Sequence, residues 1–140
     1  MLQRKLFKHF LILLTAIGFF WELAEIFYFH WIYWWYDVIL HFSSGFSVAM
    51  AFLVFWFFIF SNSKRNKKEL LLLSFLSVLA VGILWEIFEL SVGFTSLSDG
   101  IYYVRDTTSD IIADVTGGFF GTLYSFKFFP QISDKINKNV

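Results

Sequence analysis

Four apolar segments, each close to the length of a membrane-spanning helix, decide what this 140-residue chain can fold into. A helix needs about 20 residues to cross the hydrocarbon core of a bilayer, and backbone groups in that core must bond within the helix. We therefore expect an all-α integral membrane protein, a single domain over residues 1–140 with four transmembrane helices. The predicted spans cover residues 6–29, 38–60, 70–92 and 111–129.

Composition excludes several other classes of protein. Hydrophobic residues make up 58% of the chain, too many for a soluble domain of this size to cover with polar surface. The absence of cysteine excludes disulfides and thiolate metal sites. No phosphate-binding glycine loop, serine nucleophile elbow or H-E-x-x-H motif is present. The first span is too long for a signal peptide and lacks a small-residue cleavage site, so we expect it to belong to the folded protein.

Charge is separated along the chain although the formal net charge is zero. The N-terminus, the central loop and the C-terminus hold ten Lys and Arg with two acids, a net charge of +8. The other two inter-span regions and their flanks hold nine acids with Arg105, a net charge of −8. Basic loops mark the cytoplasmic side of a membrane protein, which predicts cytoplasmic termini and an acidic outer face.

An internal repeat relates the two halves of the chain. Residues 16–25 and 80–89 share the pattern A-x-G-x-x-W-E-x-x-E with an offset of 64. A weaker pair of motifs follows: Asp37-x3-His41-x3-Gly45 and Asp110-x3-Asp114-x3-Gly118. These matches predict two parallel copies of a helical hairpin, related by a pseudo-twofold axis along the membrane normal.

Acidic residues gather in the outer third of the predicted bundle. Within each predicted helix these residues are three or four positions apart, which places them on one face of that helix. Ionisable groups at mid-bilayer cost ~2.5–3.5 kcal/mol each, so we expect them to face the bundle interior or a wet cavity. The candidate site residues are Glu22, Glu25, Asp37, His41, Glu86, Glu89, Asp106, Asp110 and Asp114.

Several carboxylates packed together require compensation for their charge. Protonated carboxyls, a bound metal ion or a cationic ligand would each provide it. Oxygen ligands with one imidazole suit divalent ions such as Mg, Mn, Ca or Zn. A divalent metal is therefore the predicted cofactor, although the residues alone leave the three alternatives open.

Structural roles compete with each of these assignments. Asp37 could cap the second span, and Asp106 or Ser109 the fourth. Glu25 and Glu89 could instead reach lipid headgroups. Small residues at four positions are predicted to serve close helix packing: Gly45, Gly117, Gly118 and Gly121.

These motifs resemble those of the bacterial YjdF-like inner-membrane proteins. The matching stretches are Tyr36-Asp37-x3-His41-Phe42-x2-Gly45, Glu86-x2-Glu89, Asp106-Thr107-x2-Asp110 and the following Gly118. The resemblance covers roughly residues 36–121 and departs at Thr108, where the family pattern has Gln. A looser similarity links the chain to VanZ-like membrane proteins. Both resemblances imply a multi-pass protein of the bacterial cytoplasmic membrane, and neither implies a particular activity.

Three functions follow from these observations. The first is a membrane-embedded binding or catalytic site, metal-dependent, acting on a lipid or envelope headgroup. The second is a proton- or cation-coupled transporter, in which the carboxylates relay ions. The third is a non-catalytic accessory protein. The expected partner is the lipid bilayer and not nucleic acid, and the thin bundle is compatible with a homodimer.

Overall fold

The computed structural model describes residues 2–60 and 66–129, and its regular structure there is entirely helical. Four helices of 26 residues form a bundle: α1 (Leu2–Phe27), α3 (Trp34–Ile59), α4 (Lys67–Val92) and α5 (Ile101–Phe126). The short helix α2 (Phe29–Ile32) connects α1 to α3, and a 3-10 turn (Leu97–Asp99) precedes α5. Five charged residues used in the predicted orientation lie outside the described residues: Lys64, Arg65, Asp134, Lys135 and Lys138.

Three of the long helices have the length and apolar composition needed to cross a membrane, namely Arg4–Phe27, Trp34–Ile59 and Lys67–Val92. At about 1.5 Å per residue such helices exceed the ~30 Å hydrocarbon core. Helix α5 is equally long, but its acids, glycines and hydroxyl residues lower its mean hydropathy. Its crossing of the membrane stays a prediction.

The helix boundaries differ from the predicted spans most strongly at α5. This helix begins at Ile101, ten residues before the predicted start, because Gly100 adopts a positive φ of 59° and turns the chain into it. The capping roles considered for Asp106 and Ser109 are therefore wrong, since both lie inside the helix. The Ser109 hydroxyl donates to the carbonyl of Arg105 at 2.8 Å.

Smaller shifts occur at the other helix ends. Helix α1 ends at Phe27, where Tyr28 takes the left-handed conformation (φ 58°), instead of continuing to residue 29. Helix α3 begins at Trp34, four residues before its predicted start, with Tyr33 at the N-cap. Asp37 consequently lies within the first turn of α3, where a negative charge suits the helix dipole.

Local signals set the limits of α4. The Asn66 side chain accepts a hydrogen bond from the backbone N–H of Glu69 (2.9 Å) and donates one to its carboxylate (3.0 Å). The first bond satisfies a free backbone N–H at the helix N-terminus, and the second holds the two side chains together. Gly93, with a φ of 82°, ends the helix. Glu86 and Glu89 therefore lie in its last two turns.

The most extensive helix contact joins α3 to α5. A Cβ atom on Gly45 would overlap the backbone of Asp114, and one on Gly117 would overlap the carbonyl oxygen of Phe42. Glycine at these positions thus lets two backbones touch. Helix α4 packs against both α3 and α5, whereas the main long-helix neighbour of α1 is α3.

The two ends of the bundle differ in polarity. One end, here called the acidic end, contains α2, the 3-10 turn and the acidic residues of α3, α4 and α5. The other end is filled by a buried apolar cluster in which the Phe57 and Phe129 rings stack at 3.8 Å. The cluster comprises Leu6, Met50, Leu53, Phe57, Leu70 and Phe129.

Replacing Gly117 with Ala should separate α3 from α5, because the added methyl group meets rigid backbone. Overpacking of this kind costs about 1–3 kcal/mol, so the melting temperature of the purified protein in detergent should fall. Gly18→Ala is the matched control, since a Cβ there has nothing within 4 Å. Equal melting temperatures for the two variants would contradict the close α3–α5 contact.

Candidate functional site

Acidic side chains from three helices meet at the acidic end. Asp110 interacts electrostatically with His41, Asp37, Asp106 and Glu86, and Glu89 with Glu86, Asp37 and His41. One connected polar cluster therefore joins these helices. Its members, helix by helix, are Asp37 and His41 of α3, Glu86 and Glu89 of α4, and Asp106, Asp110 and Asp114 of α5.

His41 occupies the centre of this cluster and is only 6% exposed. Its Nδ1 lies 3.3 Å from Asp114 Oδ2, and its Nε2 lies 4.0 Å from Asp110 Oδ2. A carboxylate only accepts hydrogen bonds, so Nδ1 is the protonated nitrogen when Asp114 is ionised. Asp114 thereby fixes the ring and leaves Nε2 facing Asp110.

Asp37 completes a group that could hold a metal ion. One ligand atom from each of Asp37, His41 and Asp110 lies within 4.8 Å of the other two. Ligand distances are ~2.3–2.6 Å for Ca²⁺, so two ligands on opposite sides of one ion lie up to ~5 Å apart. Zn²⁺ has shorter ligand distances, ~2.0–2.2 Å, and would require a small inward movement of the side chains. The donor set of two carboxylates and one imidazole fits a divalent ion.

Two buried carboxylate oxygens in the described part of the chain have no hydrogen-bond partner. They are Asp110 Oδ2 and Glu86 Oε1, on residues that are 2% and 5% exposed. Buried polar atoms are almost always hydrogen-bonded, and an exception needs an explanation. A cation bound beside Asp110 would explain the first of these atoms.

The remaining oxygens of the α4 acids have specific partners. The Thr107 hydroxyl donates to Glu86 Oε2 at 2.7 Å, and the Trp85 indole N–H donates to Glu89 Oε1 at 2.8 Å. Sequence reasoning did not assign either donor to the site. For Thr107, the available signal was its place directly after Asp106, one helical turn before Asp110.

Glu22 and Glu25 of α1 are exposed, unlike Glu86 and Glu89 at the matching positions of the repeat, which are buried. The difference follows from helix packing, because α4 lies against α3 and α5 while α1 lies mainly against α3. The four carboxyls therefore do not have equivalent surroundings, although the sequence pattern treats them alike.

A cavity of about 690 Å³ adjoins the cluster at the acidic end. Asp106 and Asp110 line it together with Arg105, Asp99 and Ser109. Arg105 is exposed and brings a positive charge beside the acids. The cavity wall therefore offers both positive and negative side chains to a ligand.

One known protein family matches nearly the whole chain. The family model described as "Predicted membrane protein (DUF2238)" matches residues 4–130. The chain therefore belongs to this family of predicted membrane proteins. No curated protein and no solved structure matches it.

Thr107→Val should destabilise the protein, because it removes the donor to Glu86 Oε2 without a large change in shape. Leaving a buried acceptor without its donor costs about 1–3 kcal/mol, which a lower melting temperature in detergent would report. Thr108→Val is the matched control, since that hydroxyl is exposed and bonds only to the Val104 carbonyl of its own helix. Equal melting of both variants would contradict the role of Thr107.

Proposed function

We propose that this member of the DUF2238 family holds a divalent metal ion with Asp37, His41 and Asp110 and acts on the headgroup of a membrane lipid or envelope component. The observation that carries the proposal is the position of His41. Its Nδ1 is bound by Asp114, while its Nε2 faces an Asp110 oxygen that lacks a hydrogen-bond partner. Metal-binding histidines are commonly held by a carboxylate on the other ring nitrogen in this way.

The charge balance of the site supports a cation. The cluster combines six carboxyl groups with one histidine, and Arg105 is exposed at its edge. Like charges in a poorly hydrated site repel strongly. A divalent ion would offset two of these negative charges where the ligand atoms converge.

The proposed membrane orientation puts the acidic end outside, with both termini in the cytoplasm of a bacterial cell. The basic residues at the opposite end support it. Four transmembrane helices in two parallel repeats form part of the same proposal, supported by the contact of α1 with α3 and of α4 with α5. Membership of the YjdF-like group and a homodimer stay predictions.

The site then lies at headgroup depth, beside the larger cavity. A bound divalent ion would supply a Lewis acid for a phosphoryl or carbonyl oxygen. Arg105 on the cavity wall would attract an anionic headgroup. Glu86, held by Thr107 through one oxygen, is the candidate proton acceptor, because its other oxygen has no hydrogen-bond partner.

An ion pathway through the bundle has less support. The buried apolar cluster around Leu53 and Phe57 fills the end opposite the acids. The hydroxyls of Ser74 and Thr122 bond to each other at 2.7 Å, and Thr122 also donates to the Gly118 carbonyl. These groups satisfy one another and do not extend the acidic cluster across the membrane.

Metal content tests the proposal directly. The protein, purified in detergent without chelator or a metal-binding tag, should contain near-stoichiometric Mg, Mn, Ca or Zn by elemental analysis. The Asp110→Asn/His41→Ala double variant should lose it. Glu22→Gln should retain it, because Glu22 is exposed on α1. No metal in the native protein, even after titration with these ions, would refute the metal site.

Asp114→Asn should weaken metal binding without abolishing it, because Asp114 holds the histidine and is not among the three ligands. Loss of such a supporting carboxylate typically lowers metal affinity about 10–100-fold. Titration of metal-free protein, followed by its thermal stabilisation, measures this change. An effect as large as that of Asp110→Asn would instead make Asp114 a direct ligand.

A further inference from the structure

A second cavity, of about 470 Å³, lies within the bundle between α1 and α4. Its walls are mostly apolar, but His41 and Asp114 line it as well. Its volume falls in the ~300–1,000 Å³ range of ligand sites. The polar cluster thus lies between two cavities, since Asp110 lines the larger one at the acidic end.

Gly18 is the residue that most clearly preserves this space. Glycine within a helix costs roughly 0.5–1 kcal/mol relative to alanine. Close contacts account for Gly45 and Gly117, and a Cβ on Gly82 would lie 2.8 Å from Asp114 Oδ2. A Cβ on Gly18 would meet nothing within 4 Å, and this glycine lines the cavity. Contacts within the protein therefore do not account for Gly18, whereas an occupant of the cavity would.

The cavity is open towards the surroundings of the helices. Its lining residues Leu14, Gly18 and Val81 are exposed on the outside of the bundle. Towards the acidic end, the rings of Trp21 and Trp85 meet edge to face at 5.3 Å and join α1 to α4. Because both helices are apolar enough to span a membrane, the opening faces lipid.

We propose that this cavity binds the hydrocarbon chain of a membrane lipid, with the polar end of that lipid at His41 and Asp114. The inference rests on the proposed function and extends it, since the headgroup of the same lipid would reach the metal site. An apolar chamber that opens to lipid and ends at buried polar groups matches a molecule with one apolar and one polar end. A water-soluble ligand would have to pass the Trp21–Trp85 contact.

Photo-crosslinking in vesicles tests the chain site. Two probes are added separately, a phosphatidylglycerol with a diazirine in its acyl chain and a polyprenyl phosphate with a diazirine in its tail. Ser44 and Val48 of α3 line the cavity and are partly exposed, so a chain bound in the cavity can reach them. Crosslinks at Ser44 and Val48, mapped by mass spectrometry, are expected with one of the probes, and the probe that gives them distinguishes an acyl from an isoprenoid chain.

Gly18→Leu should remove most of these crosslinks by occupying space in the cavity, and its melting temperature, measured beside that of the native protein, reports whether the fold is retained. Ala80→Leu is the matched control, since Ala80 is exposed on α4 outside the cavity lining, and it should retain the crosslinks. No labelling of Ser44 and Val48 with either probe, or equal labelling in Gly18→Leu, would overturn the chain site. Metal content in the same samples reports separately on the proposed metal site.

Discussion

The close contact of α3 with α5 is the constraint on which the site depends. Gly45 and Gly117 let the two backbones touch, and each lies about one helical turn from a polar residue of the cluster. Gly45 follows His41 by four residues, and Gly117 follows Asp114 by three, so both pairs share a helix face. The histidine and its aspartate therefore meet because the glycines beside them bring the helices together. A larger residue at either glycine would separate the side chains as well as the backbones.

Three of the buried acids have individual hydrogen-bond partners, which reduce the energetic cost of burying them. Asp114 contacts His41, Glu86 accepts from Thr107, and Glu89 accepts from Trp85. Each partner comes from a helix already held in place by packing, so little ordering is needed to form the bond. Asp110 Oδ2 and Glu86 Oε1 are buried without such a partner. The polar network is thus incompletely satisfied, and Asp110 is one of the residues whose ligand atoms converge at the candidate metal site.

Sequence reasoning predicted the helical class, and seven of the nine residues that it proposed for a polar site lie in one cluster. The apolar length of three spans and the i, i+4 spacing of Asp37 and His41 depend only on local geometry. The early start of α5 was missed, because residues 101–110 are too polar to read as a membrane span although Gly100 begins a helix there. The contact of Asp114, among the several acids, with His41 was not predicted. Asp114 faces Nδ1 of His41 and Asp110 faces Nε2. This difference depends on how the helices pack, and the spacing of residues along one helix does not reveal it.

The matching motifs on α1 and α4 show how one sequence pattern comes to serve two physical purposes. Gly82 makes room for the Asp114 carboxylate, and Glu86 beyond it is buried between helices. Gly18 makes room for no protein atom, and Glu22 beyond it is exposed. The difference arises because α4 contacts both α3 and α5, whereas α1 stands further from the site and leaves a cavity beside it. Glycine at the same position of the pattern thus permits close packing of α4 and leaves open space beside α1, so the polar cluster is supported by α4 and borders a cavity on the side of α1.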